Sequence, residues 1–322
     1  MALAWGVLLA GFLQLLFQIA PLATIKKIPI PKIDFQNPGV KKFFILILPA
    51  IVAGGIAQIN LLIDTIFASL LITGSPTWLY VSDRLIQFPM GIFAIAIGTV
   101  LLPSLSKAYA QKEIQAYTEQ LEHAFKLVFF LAIPSLIGLV LFASPLLATI
   151  FQRGAFLWSD VQQASLSLIA FSFGLPFFMA MKVLVPAFFS RQNTKTPMLI
   201  AFLSLLINVC LNYLLAFYFG LGHLGLAIAS SISAIVSVII LSFILKRDGL
   251  ISFTGILSTF SLKVLIASVA LISFLSIFNQ YFDFELFSQT QRLLHLVAAV
   301  IGSLIIYFGS SFILGVRPAD FK

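Results

Sequence analysis

Residues 81–106 read VSDRLIQFPMGIFAIAIGTVLLPSLS, an apolar stretch with an acid and a base near its start. Between residues 85 and 102 no side chain carries a charge. At about 1.5 Å of rise per residue, this run and its flanks form a helix long enough to cross a hydrocarbon core of roughly 30 Å. The stretch therefore predicts a membrane-spanning helix with Asp83 and Arg84 at or just inside one membrane face.

Arg84 has two interpretations. A cation at this depth costs free energy unless it faces a protein cavity, water or a counter-ion, which favours a functional site. Alternatively, Arg84 is an interfacial anchor that extends to the lipid head groups, with Ser82 as the helix N-cap and Asp83 stabilised by the helix dipole. Pro89 and Gly91 follow deeper in the helix, where they weaken the backbone hydrogen bonds and favour a hinge.

The composition indicates an all-α polytopic membrane protein. Hydrophobic residues make up 61% of the 322 residues, charged residues only 9%, and the mean hydropathy is +1.10, whereas soluble domains carry about 25% charged residues. The single cysteine, Cys210, excludes a disulfide framework and a cysteine-based metal site. His123, His223 and His295 lack the spacing of metal ligands, so we expect them at interfaces or in loops.

Nine apolar segments of spanning length are bounded by Pro, Gly or charged residues. They cover residues 3–22, 43–72, 79–102, 127–150, 166–189, 198–219, 224–245, 262–278 and 293–314. Most of the 19 Lys and Arg residues fall on one side, only Arg84, Arg153 and Arg292 fall on the other, and Lys182 lies inside a helix. The positive-inside rule then places the N-terminus outside and the C-terminus in the cytoplasm. The net charge of +8 reflects this topology, and no nucleic-acid partner is expected.

Polar residues run through the second segment, which predicts that one face of this helix lines a protein interior. Asn60 and Asp64 are four residues apart and share that face. A carboxylate inside the membrane binds a cation, carries a proton or pairs with a base, and the first two roles are favoured. Asn208, Asn212 and Ser230 on later segments add oxygen atoms that suit Na⁺, although hydrogen bonding between helices is the alternative.

Two further stretches are interpreted as cytoplasmic loops. LLPSLSKAYAQKE follows the third segment and VPAFFSRQNTKTP follows the fifth, and they resemble each other weakly. Arg191 and Lys195 belong to the second of them, which is alternatively an interfacial helix on an anionic leaflet. The sequence has no phosphate-binding Gly-Lys loop, no haem or zinc spacing and no nucleophile elbow. This absence favours a transporter over an enzyme, and no cofactor is expected.

Four stretches together resemble the lipid II flippases, the MurJ or MviN family of the MOP superfamily. VSDRLIQFPMGIFAIAIGTVLLPSLSKAYA is similar to the signature stretch of that family, and INLLIDTIFASLL, IFQRGAF and VPAFFSRQNTKTP look like its flanking motifs in the same order. The resemblance runs from the first residues to the last. Drug/sodium antiporters and polysaccharide exporters of the same superfamily share the helical plan but not these motifs.

The resemblance implies a fourteen-helix inner-membrane protein that moves the undecaprenyl-diphosphate-linked peptidoglycan precursor outward by alternating access. Residues 1–22 would be the last helix of an N-terminal lobe, 23–42 a cytoplasmic linker, 43–245 a six-helix C-terminal lobe, and 246–322 two helices that form a groove for the lipid tail. A first segment that crosses from the outside is difficult to insert, so we expect an upstream portion to be missing or the start to be mis-assigned. Membrane lipids and cell wall synthesis proteins are further candidate partners.

The resemblance also assigns roles to residues. The Arg of the family's DRL motif contributes to a cationic cavity that binds the diphosphate and sugar, which implies substrate binding by Arg84 with Asp83 and Gln87 beside it. Some members carry an acid at the position of Gln87. The family's other cavity arginines lie on helices that precede this chain, so the chain alone is not expected to flip lipid.

Some members bind Na⁺ through an Asp on the first helix of the second lobe and through polar residues on later helices. The resemblance therefore implies an ion site, with Na⁺ or H⁺ as the coupling ion, formed by Asp64, Asn208, Asn212 and Ser230.

Other functions stay open. A cation-coupled multidrug or polysaccharide-lipid exporter of the same superfamily predicts a cavity with acids instead of arginines. A membrane-embedded transferase of lipid-linked sugars needs paired acids, and the nearest pair, Asp283 and Glu285, is expected in an outer loop without supporting ligands. A structural subunit and a non-functional fragment are the remaining alternatives.

Overall fold

The structure is a computed structural model that describes residues 2–24, 37–251, 259–282 and 284–321. Every regular element in these ranges is helical. The α-helices are α1 (Ala2–Thr24), α2 (Pro38–Ser69), α3 (Ser75–Pro89), α4 (Ile95–Ala110), α5 (Ile114–Leu141), α6 (Ala143–Phe151), α7 (Trp158–Phe189), α8 (Lys195–Asn212), α9 (Gly222–Arg247), α10 (Thr259–Tyr281) and α11 (Gln289–Ile313). Two π-helical segments, Met90–Ala94 and Tyr213–Tyr218, continue α3 into α4 and extend α8, and a 3-10 turn follows at Pro318–Phe321.

Nine helices of the described part are long and apolar enough to cross a membrane, as the sequence predicts. The span Ser75–Ala110 consists of α3, the first π-helical segment and α4. The prediction of one helix over residues 127–150 is wrong, because α5 ends at Leu141 and α6 follows after Phe142. Hydropathy does not reveal this break, since the apolar residues continue through it.

The two stretches interpreted as loops are largely helical, so this prediction is also corrected. α4 continues to Ala110 with Pro103 inside it, and only residues 111–113 separate α4 from α5. α7 continues to Phe189, so the second loop is residues 190–194. Arg191 lies in that loop, whereas Lys195 is the first residue of α8. Polar residues near the ends of long helices explain the error.

Contacts within the chain define two compact units, Met1–Ile45 and Leu46–Lys322. In the first unit, the apolar side chains of α1 are exposed, with Trp5 at 66% and Phe17 at 79%. A helix that is apolar all round requires a lipid or protein surface around it, which suits a membrane span.

The second unit is organised around α7, which packs against α3, α4, α5, α6 and α9. Side chains of α7 that are completely inaccessible include Leu168, Leu175, Met179, Leu184 and Phe188. Small residues allow close helix contacts, as is common in membrane bundles. A Cβ on Gly225 of α9, for example, would lie 2.7 Å from the backbone nitrogen of Ala216 in the second π-helical segment.

Polar contacts fix the rotation of α3 on α7. The Ser82 hydroxyl lies 2.7 Å from the carbonyl oxygens of both Trp78 and Ala164, and the indole Nε1 of Trp78 donates a hydrogen bond of 2.8 Å to Asp160. Ser82 is therefore buried within the helix and is not its N-cap, because α3 begins at Ser75. The interfacial-anchor interpretation of Arg84 loses its proposed cap.

The two C-terminal helices pack against each other, and α10 also packs against α5. The buried phenol of Tyr307 in α11 donates a hydrogen bond of 2.6 Å to the carbonyl of Phe130 in α5. The rings of these two residues lie 5.2 Å apart. This contact attaches the C-terminal pair to the helices around α7.

Candidate functional site

A cavity of about 750 Å³ lies within the second unit. Its wall combines residues of α2, α3, the first π-helical segment, α4, α7 and α9. The polar lining residues are Asn60, Asp64, Thr65, Tyr80, Asp83, Arg84, Gln87, Lys182 and Ser230. The other lining residues are apolar, so electrostatic interactions of the charged groups are weakly screened there.

Arg84 lines this cavity and is exposed, whereas the neighbouring Leu85 and Ile86 of α3 are buried. Its guanidinium lies 4.7 Å from the ring centre of Tyr80, at the distance of a cation–π contact. In the ranges that the structure describes, no carboxylate lies within 4.0 Å of this guanidinium. Its donors are therefore available to an anion.

Asp83 and Gln87 line the cavity beside Arg84. The side-chain amide of Gln87 donates a hydrogen bond to the carboxylate of Asp83, one turn earlier on the helix. The hydrogen-bond partner of Asp83 is therefore the neutral amide of Gln87 and not the guanidinium of Arg84.

Pro89 and Gly91, the predicted hinge residues, flank the start of the first π-helical segment. Pro89 is the last residue of α3, and Gly91 is the second residue of the segment Met90–Ala94 and lines the cavity. Proline has no N–H to donate, and short π-helical segments within α-helices occur frequently at functional sites. The π-helical segment begins at Met90, six residues after Arg84 on the same span.

Asp64 belongs to a closed ring of four hydrogen-bonded side chains. The Asn212 amide donates to Asp64 Oδ1 at 2.6 Å and to Asn208 Oδ1 at 2.9 Å. The Asn208 amide donates to Ser230 Oγ at 3.2 Å, and the Ser230 hydroxyl donates to Asp64 Oδ2 at 3.4 Å. The ring brings together residues of α2, α8 and α9, the four that the sequence analysis assigned to an ion site.

Two amide oxygens at this ring have no partner. Asn212 Oδ1 and Asn60 Oδ1 are buried and accept no hydrogen bond from the described residues, and Asn60 lies one turn before Asp64 on α2. Unsatisfied buried carbonyl oxygens beside a carboxylate are the donor set that a hard cation prefers. The residues therefore fit Na⁺, and the partners of Asp64 are neutral side chains instead of a Lys or Arg.

Lys182 is a cavity residue to which the sequence analysis assigned no role. It lies on α7 and lines the same cavity as Arg84. The signal that could have identified it was in the sequence, since it is the one lysine that the positive-inside count placed inside a helix.

His223, which we expect at an interface or in a loop, is the second residue of α9. It is buried on α9, with Nδ1 2.7 Å from Ser167 Oγ and Nε2 3.0 Å from Gln163 Oε1. The edge of the Trp78 ring also packs against it at 4.9 Å between centroids. His223 joins α9 to α7 and α3 and does not line the cavity.

Arg191 and Lys195 are not cavity residues. Arg191 forms an ion pair of 2.9 Å with Asp248 at the end of α9, and its guanidinium lies 5.0 Å from the ring centre of Phe188. It connects the end of α7 to the end of α9. Of the acid pair considered for a transferase, Asp283 lies outside the described residues.

The helical fold has counterparts among solved structures. A structure of the lipid II flippase MurJ in an inward closed conformation superposes with a TM-score of 0.68 at 26% identity, over 91% of this chain and 58% of that one. An outward-facing multidrug resistance transporter of the MATE family superposes with a TM-score of 0.58 at 17% identity, over 84% of this chain and 63% of that one. The fold is that of the MOP transporter superfamily.

Sequence comparison narrows this class to a family. The model described as "Lipid II flippase MurJ" matches residues 1–293. A probable lipid II flippase MurJ from Vibrio cholerae is 38% identical over 99% of this chain and 61% of its own length. The lipid II flippase MurJ from Burkholderia cenocepacia is 31% identical over 100% of this chain and 63% of its own length. The chain belongs to the lipid II flippase MurJ family, and it spans 61 to 63% of the length of these two relatives.

Proposed function

We propose that this chain takes part in moving lipid II, the undecaprenyl-diphosphate-linked peptidoglycan precursor, across the cytoplasmic membrane for cell wall synthesis. The observation that carries the proposal is Arg84, a guanidinium without a carboxylate partner among the described residues that lines a cavity of about 750 Å³. The relatives that match nearly the whole chain are named lipid II flippases, which supports the same substrate.

The proposed mechanism follows from the charge of the substrate. A diphosphate cannot cross about 30 Å of hydrocarbon without a large cost in free energy. A cavity that contains a cation and opens to each face in turn lowers that barrier, while the lipid tail stays in the bilayer. Arginine suits this role because its planar fork donates to two phosphate oxygens and stays charged at every relevant pH.

An ion at the Asp64 ring would change the charge of the cavity. The charged lining residues are Asp64, Asp83, Arg84 and Lys182, so their formal charges cancel. Binding of Na⁺ or H⁺ at Asp64 removes one negative charge and favours an anionic head group in the same cavity. We therefore include Na⁺ or H⁺ as the coupling ion, with Asp64, Asn212 and Asn60 as the residues that would hold it.

The proposal includes the orientation of the chain. The excess of Lys and Arg on one side places the N-terminus outside and the C-terminus in the cytoplasm. Arg84 then lies toward the outer half of its span. We assign the C-terminal pair α10 and α11 to contact with the lipid tail, since their outer faces are apolar and exposed.

The test is growth of a bacterial strain depleted of its own flippase and complemented with the natural gene. We expect Arg84→Ala to abolish growth. Arg84→Lys should support partial growth, because lysine keeps the positive charge but cannot donate two parallel hydrogen bonds as the planar guanidinium does. The matched control is Arg153→Ala, since Arg153 is exposed and is not a cavity residue. Normal growth with Arg84→Ala, at equal protein levels, would refute the cavity role and favour a cation-coupled exporter of other substrates.

A further inference from the structure

Lys182 is a cation in the membrane-spanning part of α7, seven residues before the helix ends at Phe189. It is exposed to the cavity and forms no hydrogen bond or ion pair with any residue in the described ranges. Its Cα lies about 10 Å from the end of the helix at 1.5 Å per residue. A charged side chain at such a depth usually faces a water-filled cavity or a functional partner.

The backbone of Lys182 is fixed against α4. A Cβ on Gly98 would lie 2.9 Å from the carbonyl oxygen of Lys182, so the two helices touch at this point. Gly98 follows Arg84 by 14 residues along the same span. The Cα of Lys182 is therefore displaced from that of Arg84 by about 20 Å along the helix axis.

A continuous strip of cavity-lining residues connects the two cations. Arg84, Gln87, Gly91 and Ile95 follow one another at intervals of three and four residues and all line the cavity. Arg84 and Gln87 share one face of α3 at this spacing, and Gly91 lies in the π-helical segment that leads to Ile95 at the start of α4. The strip ends at Ile95, about one turn before Gly98, where α7 contacts α4 through the backbone of Lys182.

We propose that Lys182 is a second binding point for the anionic head group, deeper in the same cavity than Arg84. The inference rests on the proposed function and extends it to two cations at two depths. An ammonium group is a compact point charge that accepts many geometries, whereas a guanidinium holds two oxygens in a fixed plane. Lys182 therefore suits brief contact with a diphosphate on its way to or from Arg84. In the proposed orientation, Lys182 serves the cytoplasmic half of the path.

The test measures binding of purified full-length protein to lipid II, with undecaprenyl diphosphate and a neutral isoprenyl alcohol as further probes. We expect Lys182→Gln to weaken binding of both diphosphate lipids about tenfold, the effect of losing one hydrogen bond to a charged group. Lys182→Arg should bind within about twofold of the natural protein, because the charge remains. Binding of the neutral alcohol should not change.

The control is Lys107→Gln, which removes the same charge from an exposed position in the last turn of α4, outside the cavity. Lys182→Met provides a second neutral variant if the glutamine variant is poorly folded, and thermal unfolding checks both. Natural affinity in both neutral variants, together with weak binding by Arg84→Gln, would overturn the role of Lys182 and leave the proposed function in place. Natural affinity in the Lys182 and Arg84 variants alike would overturn both.

Discussion

The amide nitrogen of Asn212 lies 2.6 Å from Oδ1 of Asp64 and joins α8 to α2 across 148 positions of the chain. Both hydrogens of this amide are used, since the second is donated to Asn208 at 2.9 Å. The carbonyl oxygen of the same amide is buried without a partner. Asn212 therefore stabilises the carboxylate and keeps one buried amide oxygen without a donor.

The first prediction concerns the stability of this ring. Asn212→Ala leaves a partly buried carboxylate oxygen without its donor, and we expect a loss of about 1–3 kcal/mol in the free energy of unfolding. Chemical unfolding in detergent micelles measures the loss. Asn279→Ala, at an exposed position near the end of α10, should change the free energy little. Equal stability of the two variants would contradict the structural role of Asn212.

The second prediction concerns the proposed Na⁺ site. Na⁺ that binds only the folded protein should raise its unfolding free energy by about 2.7 kcal/mol at a hundredfold excess over Kd. Asp64→Asn should remove most of this stabilisation, measured as the Tm difference between NaCl and KCl of equal concentration. Asp83→Asn, which removes the other cavity carboxylate, should retain it. A full Na⁺ response in Asp64→Asn would exclude Asp64 as a ligand.

The third prediction concerns the contact between α4 and α7. Gly98→Ala places a methyl group 2.9 Å from the carbonyl oxygen of Lys182, and a backbone atom cannot rotate away. We expect a loss of about 1–3 kcal/mol in unfolding free energy, typical of overpacking, and weaker binding of diphosphate lipids. Gly138→Ala is the control, because no atom outside its neighbouring residues and the adjacent backbone of its own helix lies within 4 Å of the added Cβ. A Gly98→Ala protein as stable as the control would show that the helices separate easily.

The fourth prediction concerns the N-terminal half of α3. Trp78→Phe removes the 2.8 Å hydrogen bond to Asp160, whose other carboxylate oxygen accepts from the backbone nitrogen of Leu157 at the start of α7. We expect a loss of about 1 kcal/mol in unfolding free energy. Trp5→Phe, on an indole that is 66% exposed, should have no comparable effect. Arg84-dependent growth should persist in both variants, and its loss in Trp78→Phe would indicate that Trp78 also shapes the cavity.

The nine spans were predictable because hydrophobic length is a local property of the sequence. The grouping of Asp64 with Asn208, Asn212 and Ser230 was also predictable, since polar residues in membrane-spanning helices usually face the protein interior and pair with one another. The separation of α5 from α6 at Phe142 was not, because the apolar pattern does not change there.

The burial of Ser82 and His223 depends on partners more than 50 positions away, so no local pattern reveals it. Lys182 was visible as an isolated charge, but its relation to Arg84 required the crossing of α4 and α7. Sequence patterns thus identify which residues are unusual, and the packing of helices decides which of them meet.

The π-helical segment Met90–Ala94 holds a surplus residue compared with ordinary α-helical winding. Loss of that surplus, with a return to ordinary α-helical winding, would rotate the preceding part of the helix by about 100° relative to α4, the angle that one residue occupies in an α-helix. Arg84 would then be aimed at a different neighbour while the anchorage of α4 at Gly98 stayed in place. A change of winding in this one segment would therefore change the direction in which the Arg84 guanidinium points.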